Sequence, residues 1–150
     1  LKFISSKYNK IYNMKLLVID QENLDITDLG EMSEILIDSK NLNNIINEFS
    51  DIGQIIRFKI IKDKEKISLK SDGDMTSLKM VLHDEDIKYK NLTDLELFFN
   101  ISTLQLFTKG NSLNKNVNIR IGHNIPIELK YNILESGYIK YWVAPRIDDD

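Results

Sequence analysis

The sequence predicts an α+β fold dominated by antiparallel strand, on three observations. Apolar and polar residues alternate with period two along most of the chain. Turn-forming clusters such as Asp63-Lys64-Glu65 and Ser71-Asp72-Gly73-Asp74 separate the alternating runs. The order strand–helix–strands also occurs twice, which reads as an internal duplication with very little sequence identity to mark it. Strands joined by short turns pair antiparallel, and two short helices then cover one face of the sheets.

Taken in order, Lys10–Ile19 reads as a strand around Tyr12, Met14, Leu16 and Val18. Asp20–Glu31 is polar and acidic, with Leu24, Ile26 and Leu29 as its apolar points, and reads as a solvated linker. Ser33–Asp38 alternates as a strand. Ser39 is then the expected N-cap of a helix whose Leu42, Ile45, Ile46 and Phe49 fall at i, i+3, i+4 and i+7, ended by Gly53. Strands follow at Ile55–Ile61, Ile67–Leu69, Leu78–Leu82 and Asp94–Phe99. A second helix is expected at Ser102–Lys109, with Leu104, Phe107 and Leu106 inward and Gly110 closing it. Asn116–Gly122, Ile125–Ile133 and Tyr138–Ala144 complete the strands, the alternation being clearest at Ile127, Leu129, Tyr131 and Ile133.

A length of 150 residues holds one domain with a real core, or slightly more. Its 42% hydrophobic and 29% charged residues are ordinary for a globular protein. No apolar run is long enough to span a bilayer, so no membrane partner is expected. No secretory pattern opens the chain, which begins at Leu1 and reads as a fragment or processed piece. The absence of cysteine excludes disulfides, Cys-ligated zinc and thiol nucleophiles in this segment. A formal charge of −3 argues against nucleic-acid binding by net attraction, while leaving room for a local basic face.

The residues assemble no catalytic constellation. His83 and His123 are the only imidazoles, forty residues apart and without a ligand at metal-binding spacing. His83 adjoins Asp84, Glu85 and Asp86, a cluster that reads as a solvated loop ahead of a metal site. No phosphate-binding, dinucleotide or nucleophile-elbow pattern occurs. Neither an enzyme activity nor a cofactor is therefore expected.

The C-terminal segment Gly137–Ile147 (GYIKYWVAPRI), followed by three Asp, is the most unusual feature: a strand ends in Ala-Pro and leaves an isolated Ile before acid. Together with Phe107–Leu113 (FTKGNSL) and Asn124–Tyr131 (NIPIELKY), it resembles the C-terminal domain of the eukaryotic sliding-clamp family, the proliferating cell nuclear antigens. That family carries F-T-K-A, V-P-L-x-x-x-Y and L-K-Y-Y-L-A-P-K-I-x-acidic segments in the same order. Upstream, Met14–Asp20 (MKLLVID), Asn47–Gly53 (NEFSDIG) and the Lys62-Asp63 turn match in register, so the resemblance runs from about Tyr12 to the end.

The resemblance implies the DNA-clamp fold: residues 1–19 as the tail of a first clamp domain, 20–32 as the interdomain connector, and 33–150 as the C-terminal domain. It implies a nuclear homotrimeric ring around duplex DNA, without sequence specificity. Such a ring docks polymerase, ligase, nuclease and clamp-loader proteins through a short peptide motif. The peptide pocket would use Leu24 and Ile26 of the connector with Pro126, Trp142, Ala144, Pro145 and Ile147; the family usually has Tyr where Trp142 stands. Subunit contacts would come from Tyr12 and Met14 on one strand and Leu78 and Met80 on another. Lys109 would face DNA, whereas Asn44, Asn47 and Ser102 stand where the family commonly has Arg. Lys62 aligns with a lysine used for conjugation of ubiquitin-like proteins. The competing expectation is a clamp-like interaction module that no longer closes a ring on DNA.

Overall fold

The computed structural model describes residues 2–3, 12–13, 31–123, 125–135 and 137–147. Strands β1 (Lys2–Phe3) and β2 (Tyr12–Asn13) pair antiparallel, with Phe3 opposite Tyr12. The rest of the expected strand Lys10–Ile19 and the whole linker to Gly30 lie outside the described residues.

From Met32 onward the elements are β3 (Met32–Asp38), α1 (Ser39–Ser50), β4 (Ile55–Ile61), β5 (Lys66–Asp72) and β6 (Ser77–Leu82). After β7 (Ile87–Lys90) come β8 (Leu95–Asn100), α2 (Ile101–Thr108), β9 (Asn116–Gly122), β10 (Ile127–Ile133) and β11 (Gly137–Val143). They form a five-stranded sheet in the order β11-β10-β9-β3-β7 and a four-stranded sheet in the order β6-β5-β4-β8. Every pairing is antiparallel, and the class is α+β as the alternation predicts.

The duplication takes a form that linear reading does not show. Each half lends its first strand to the other half's sheet: β3 pairs with β9, and β8 pairs with β4. The two helix starts are fixed in matching ways. Ser39 N donates to Lys115 O at 2.8 Å, just before β9, and Ile101 N donates to Gln54 O at 2.9 Å, just before β4. The halves are thus interlocked, and neither has a complete sheet without the other.

Burial of one face drives each helix into place. Leu42, Ile46 and Phe49 of α1 and Ile101 and Leu104 of α2 are buried in a core cluster fed by both sheets. Burying such side chains stabilises by about 1.5–3 kcal/mol each. Two local expectations are corrected. The N-cap of α1 is Asp38, whose Oδ1 accepts from Lys40 N (2.9 Å) and Asn41 N (3.1 Å), so Ser39 is the first helical residue. Leu106 is 62% exposed, because Leu104 two positions earlier already faces inward and successive residues turn by about 100°.

Strand β7 has no counterpart among the expected strands, which pass from Leu78–Leu82 directly to Asp94–Phe99. Its alternation is genuine, with Ile87 buried and Tyr89 half-buried between exposed Lys88 and Lys90, but four residues behind Asp84-Glu85-Asp86 carry a weak signal. Pairing with β3 makes it a strand.

Candidate partner-docking edge and helix face

The C-terminal edge is built by β10 and β11 and by the residues that follow them. The register places Ile127 opposite Val143 and Glu128 opposite Trp142. Pro126 and Ala144, each one residue farther along, therefore meet at the same end of the ladder. Pro126 and Pro145 are half-buried and Ala144 is exposed. Trp142 is 48% exposed and Ile147 84% exposed. The chain after Ala144 is anchored: Arg146 N donates to Phe98 O at 2.7 Å, and its guanidinium reaches Asn100 Oδ1 at 3.3 Å. The segment therefore crosses from the edge of one sheet to the β8 edge of the other, leaving Trp142 and Ile147 as apolar groups open to solvent. Of the residues expected in the pocket, Leu24 and Ile26 lie outside the described residues.

Beneath Trp142 lies a feature that the linear pattern hides. Glu128, with its side chain only 3% exposed, pairs with Lys140 Nζ at 3.3 Å and lies 4.0 Å from Arg120 Nη1. Glu34 sits between Arg120 (3.9 Å) and Lys90 (2.9 Å). Register aligns these as Trp142–Glu128–Arg120–Glu34–Lys90 across five strands, alternating in sign from Glu128 onward. Lys140 Nζ also stands 5.8 Å from the Trp142 ring and 5.3 Å from Tyr138, a cation–π contact that restrains the aromatic edge. The lysines and glutamates are visible in the sequence, but only register sets them side by side.

On the opposite face of β11, Tyr141 stacks on Phe107 of α2 with ring centroids 4.8 Å apart. Tyr131 is fully buried and its hydroxyl donates to Phe107 O at 3.1 Å. Burial pushes its pKa up to about 12, with a smaller contribution from Tyr141, so it stays a neutral donor. Its ring leaves no room for a side chain at Gly110, where a β-carbon would lie 2.9 Å from a ring carbon. This contact seats the 3₁₀ turn Lys109–Ser112 and with it the exposed Lys109.

The exposed helix face is nearly neutral at the three expected positions. Asn44, Asn47 and Ser102 are all exposed. Asn47 Oδ1 accepts from Gln105 Nε2 at 3.0 Å, and Asn43 Oδ1 accepts from Thr108 Oγ1 at 3.2 Å. These bonds join α1 to α2, which run antiparallel. The Asn43 and Asn47 side chains thus act as helix-to-helix ties, a role that depends on partners nearly sixty or more residues away in the chain.

The remaining expected sites are distributed around the body. Strand β6 is an edge, but Leu78 and Met80 are half-buried against the core, because their β5 partners Ser71 and Leu69 face inward. That edge offers backbone and the outward residues Ser77 and Lys79 instead. Tyr12 lies in β2, and Met14 falls outside the described residues. Lys62 is exposed at the start of the 3₁₀ turn Lys62–Lys64, which Asp94 Oδ1 fixes by accepting from Lys62 N at 2.8 Å. His123 is exposed and bonds the carbonyl of Asp94, a structural tie. Among the described residues no group of three or more acidic or histidine side chains is placed to hold a metal ion, and no helix is long and apolar enough to cross a membrane.

Comparison with known proteins adds two findings. Residues 25–146 match the family described as proliferating cell nuclear antigen, C-terminal domain. The chain is also 27% identical over 158 residues to the proliferating cell nuclear antigen of Chaetomium thermophilum, covering 100% of this chain and 61% of that relative.

Proposed function

The chain belongs to the family of the C-terminal domain of proliferating cell nuclear antigen, and from that premise we propose that it works in the nucleus as part of a DNA-sliding processivity clamp. The clamp encircles duplex DNA as a ring of subunits and docks polymerase, ligase, nuclease and clamp-loader proteins. The observation that carries this reading is the anchored C-terminal segment. The bond from Arg146 N to Phe98 O fixes the chain between exposed Trp142 and exposed Ile147, two apolar groups suited to receive aliphatic and aromatic anchors of a short peptide. No chemical step is required of any residue, and the reading is that of a scaffold.

Trp142→Ala is expected to weaken binding of a Q-x-x-aliphatic-x-x-aromatic-aromatic peptide by about 2 kcal/mol, since truncating a central aromatic anchor removes both contact and desolvation. Calorimetry on the full-length protein checks this, and unchanged affinity removes Trp142 from the pocket.

A second reading, a clamp-like interaction module without ring closure, is favoured by the neutral helix face, where Asn47 is engaged with Gln105. Both readings are tested by loading the full-length protein on circular duplex and comparing retention before and after linearisation. A ring with few phosphate contacts shows a shallow salt dependence, each missing contact removing about 0.9 from the log–log slope. Retention that survives on circles and vanishes on linear DNA is the expected result; equal loss from both selects the interaction module.

A further inference from the structure

The outer face of the four-stranded sheet concentrates positive charge in a chain whose net charge is −3. Register sets Phe98 opposite Arg57, Arg57 opposite Lys70, and Lys70 opposite Lys79. The opposite face of the same strands carries Phe58, Leu69 and Met80 toward the core, so this row points outward. Arg146 extends it past β8, because its backbone is bonded to Phe98 and its guanidinium lies on Asn100 of the outer face. At a strand spacing of about 4.8 Å the row is about 19 Å long.

Like charges directly opposite one another destabilise a sheet, and this row stacks three in succession. The carboxylates nearby do not balance it. Glu96 is shared by Arg57 (2.8 Å) and Lys59 (3.1 Å), and Asp72 pairs with Lys70 at 2.7 Å. Among the described residues, Lys79 has no carboxylate partner and Arg146 meets only an amide oxygen. On the five-stranded sheet the row Glu128, Arg120, Glu34 and Lys90 alternates in sign, and the facing like charges Lys130 and Lys140 form a pair without a third cation in line. The helix face has Asn where such charge would be useful. Charge suited to phosphate is therefore gathered on this outer face.

We propose that the outer face of the four-stranded sheet binds single-stranded nucleic acid, its phosphates on the Arg57–Lys70–Lys79 row and a base against Phe98. Evenly spaced cations beside an aromatic ring match a linear polyanion with stacking bases. The row runs across the strands on a face, where an acidic peptide gains no backbone pairing.

The test is fluorescence anisotropy of a labelled oligo-dT of about 16 nucleotides with the full chain, between about 50 and 200 mM salt. Three phosphate contacts at about 0.7 each give a log–log slope of about −2. Lys79→Gln is expected to reduce the slope by about 0.7, and Lys70→Glu with Lys79→Glu by about 1.4 with about tenfold weaker binding at the lowest salt. Phe98→Ala is expected to weaken binding at unchanged slope. Lys88→Glu with Lys130→Glu changes the charge of the other sheet's outer face equally and is expected to leave the slope unchanged. Equal loss in that control, a salt-independent signal, or displacement of the oligonucleotide by poly-glutamate as readily as by polyphosphate overturns the proposal.

Discussion

Replacing Phe99 by alanine lowers the stability of the fold by about 3–5 kcal/mol, the range for deleting a fully buried aromatic ring. Phe99 has no exposed surface and meets Phe58 edge-on, with centroids 5.6 Å apart and planes at 86°. Both residues lie in the four-stranded sheet, on paired strands β4 and β8. The cavity opens where β8, lent by the second half, joins the sheet of the first, so no single element can collapse to fill it. A fold of this size carries about 5–15 kcal/mol in all, so the variant is close to unfolding. Urea titration reads the loss directly, and the melting temperature falls on the order of 10 °C. Leu134→Ala, at a residue 91% exposed, is the matched control and changes little. A Phe99→Ala variant as stable as the parent would mean that the two-sheet core is not the main source of stability. The substitution also loosens the strand whose Phe98 carbonyl holds the C-terminal segment, so peptide docking should weaken with it.

Gly73→Ala is expected to cost about 3 kcal/mol, at the upper end for overpacking because the obstacle is backbone. A β-carbon at Gly73 would overlap the carbonyl oxygen of Ile52 and lie 3.0 Å from its carbonyl carbon. Ile52 sits just past α1, where its own N–H donates to Phe49 O at 3.1 Å. Gly73 N donates to Thr76 O at 2.8 Å, so the turn between β5 and β6 cannot move away without losing that bond. Either α1 withdraws from the core or the turn opens. Equilibrium unfolding of Gly73→Ala beside Asp74→Ala, an exposed neighbour in the same turn, separates the close approach from any general sensitivity of the turn. If both behave like the parent, the helix end and the turn are not in forced contact. A displaced turn also tilts β6, an edge strand, so self-association through that edge is expected to fall in parallel.

Much of this architecture was legible from residues a few positions apart. The period-two runs at Ile127, Leu129 and Tyr131 and the i, i+3, i+4, i+7 spacing of Leu42, Ile45, Ile46 and Phe49 are local signals. Local steric and burial preferences were enough to fix the class and the twofold order of elements. The GYIKYWVAPRI segment likewise carries its family resemblance in the linear order of its residues. Failures were local too: a four-residue strand offers one alternation cycle, and Asp38 hid a helix cap at the end of a strand.

Long-range pairing decided the rest. Nothing near Ser33–Asp38 in the sequence says that it joins β9 in preference to β4; that choice comes from closing two sheets over one shared core. Whether Arg57, Lys70 and Lys79 form a row, and whether Glu128 falls between Arg120 and Lys140, depends on strand register, and a slip of one residue would move each to the other face. The Asn residues of α1 look like a solvated face until α2 arrives to supply Gln105 and Thr108. Apolar periodicity belongs to each segment by itself, whereas a charge or an amide acquires its function from the neighbour that the fold brings to it.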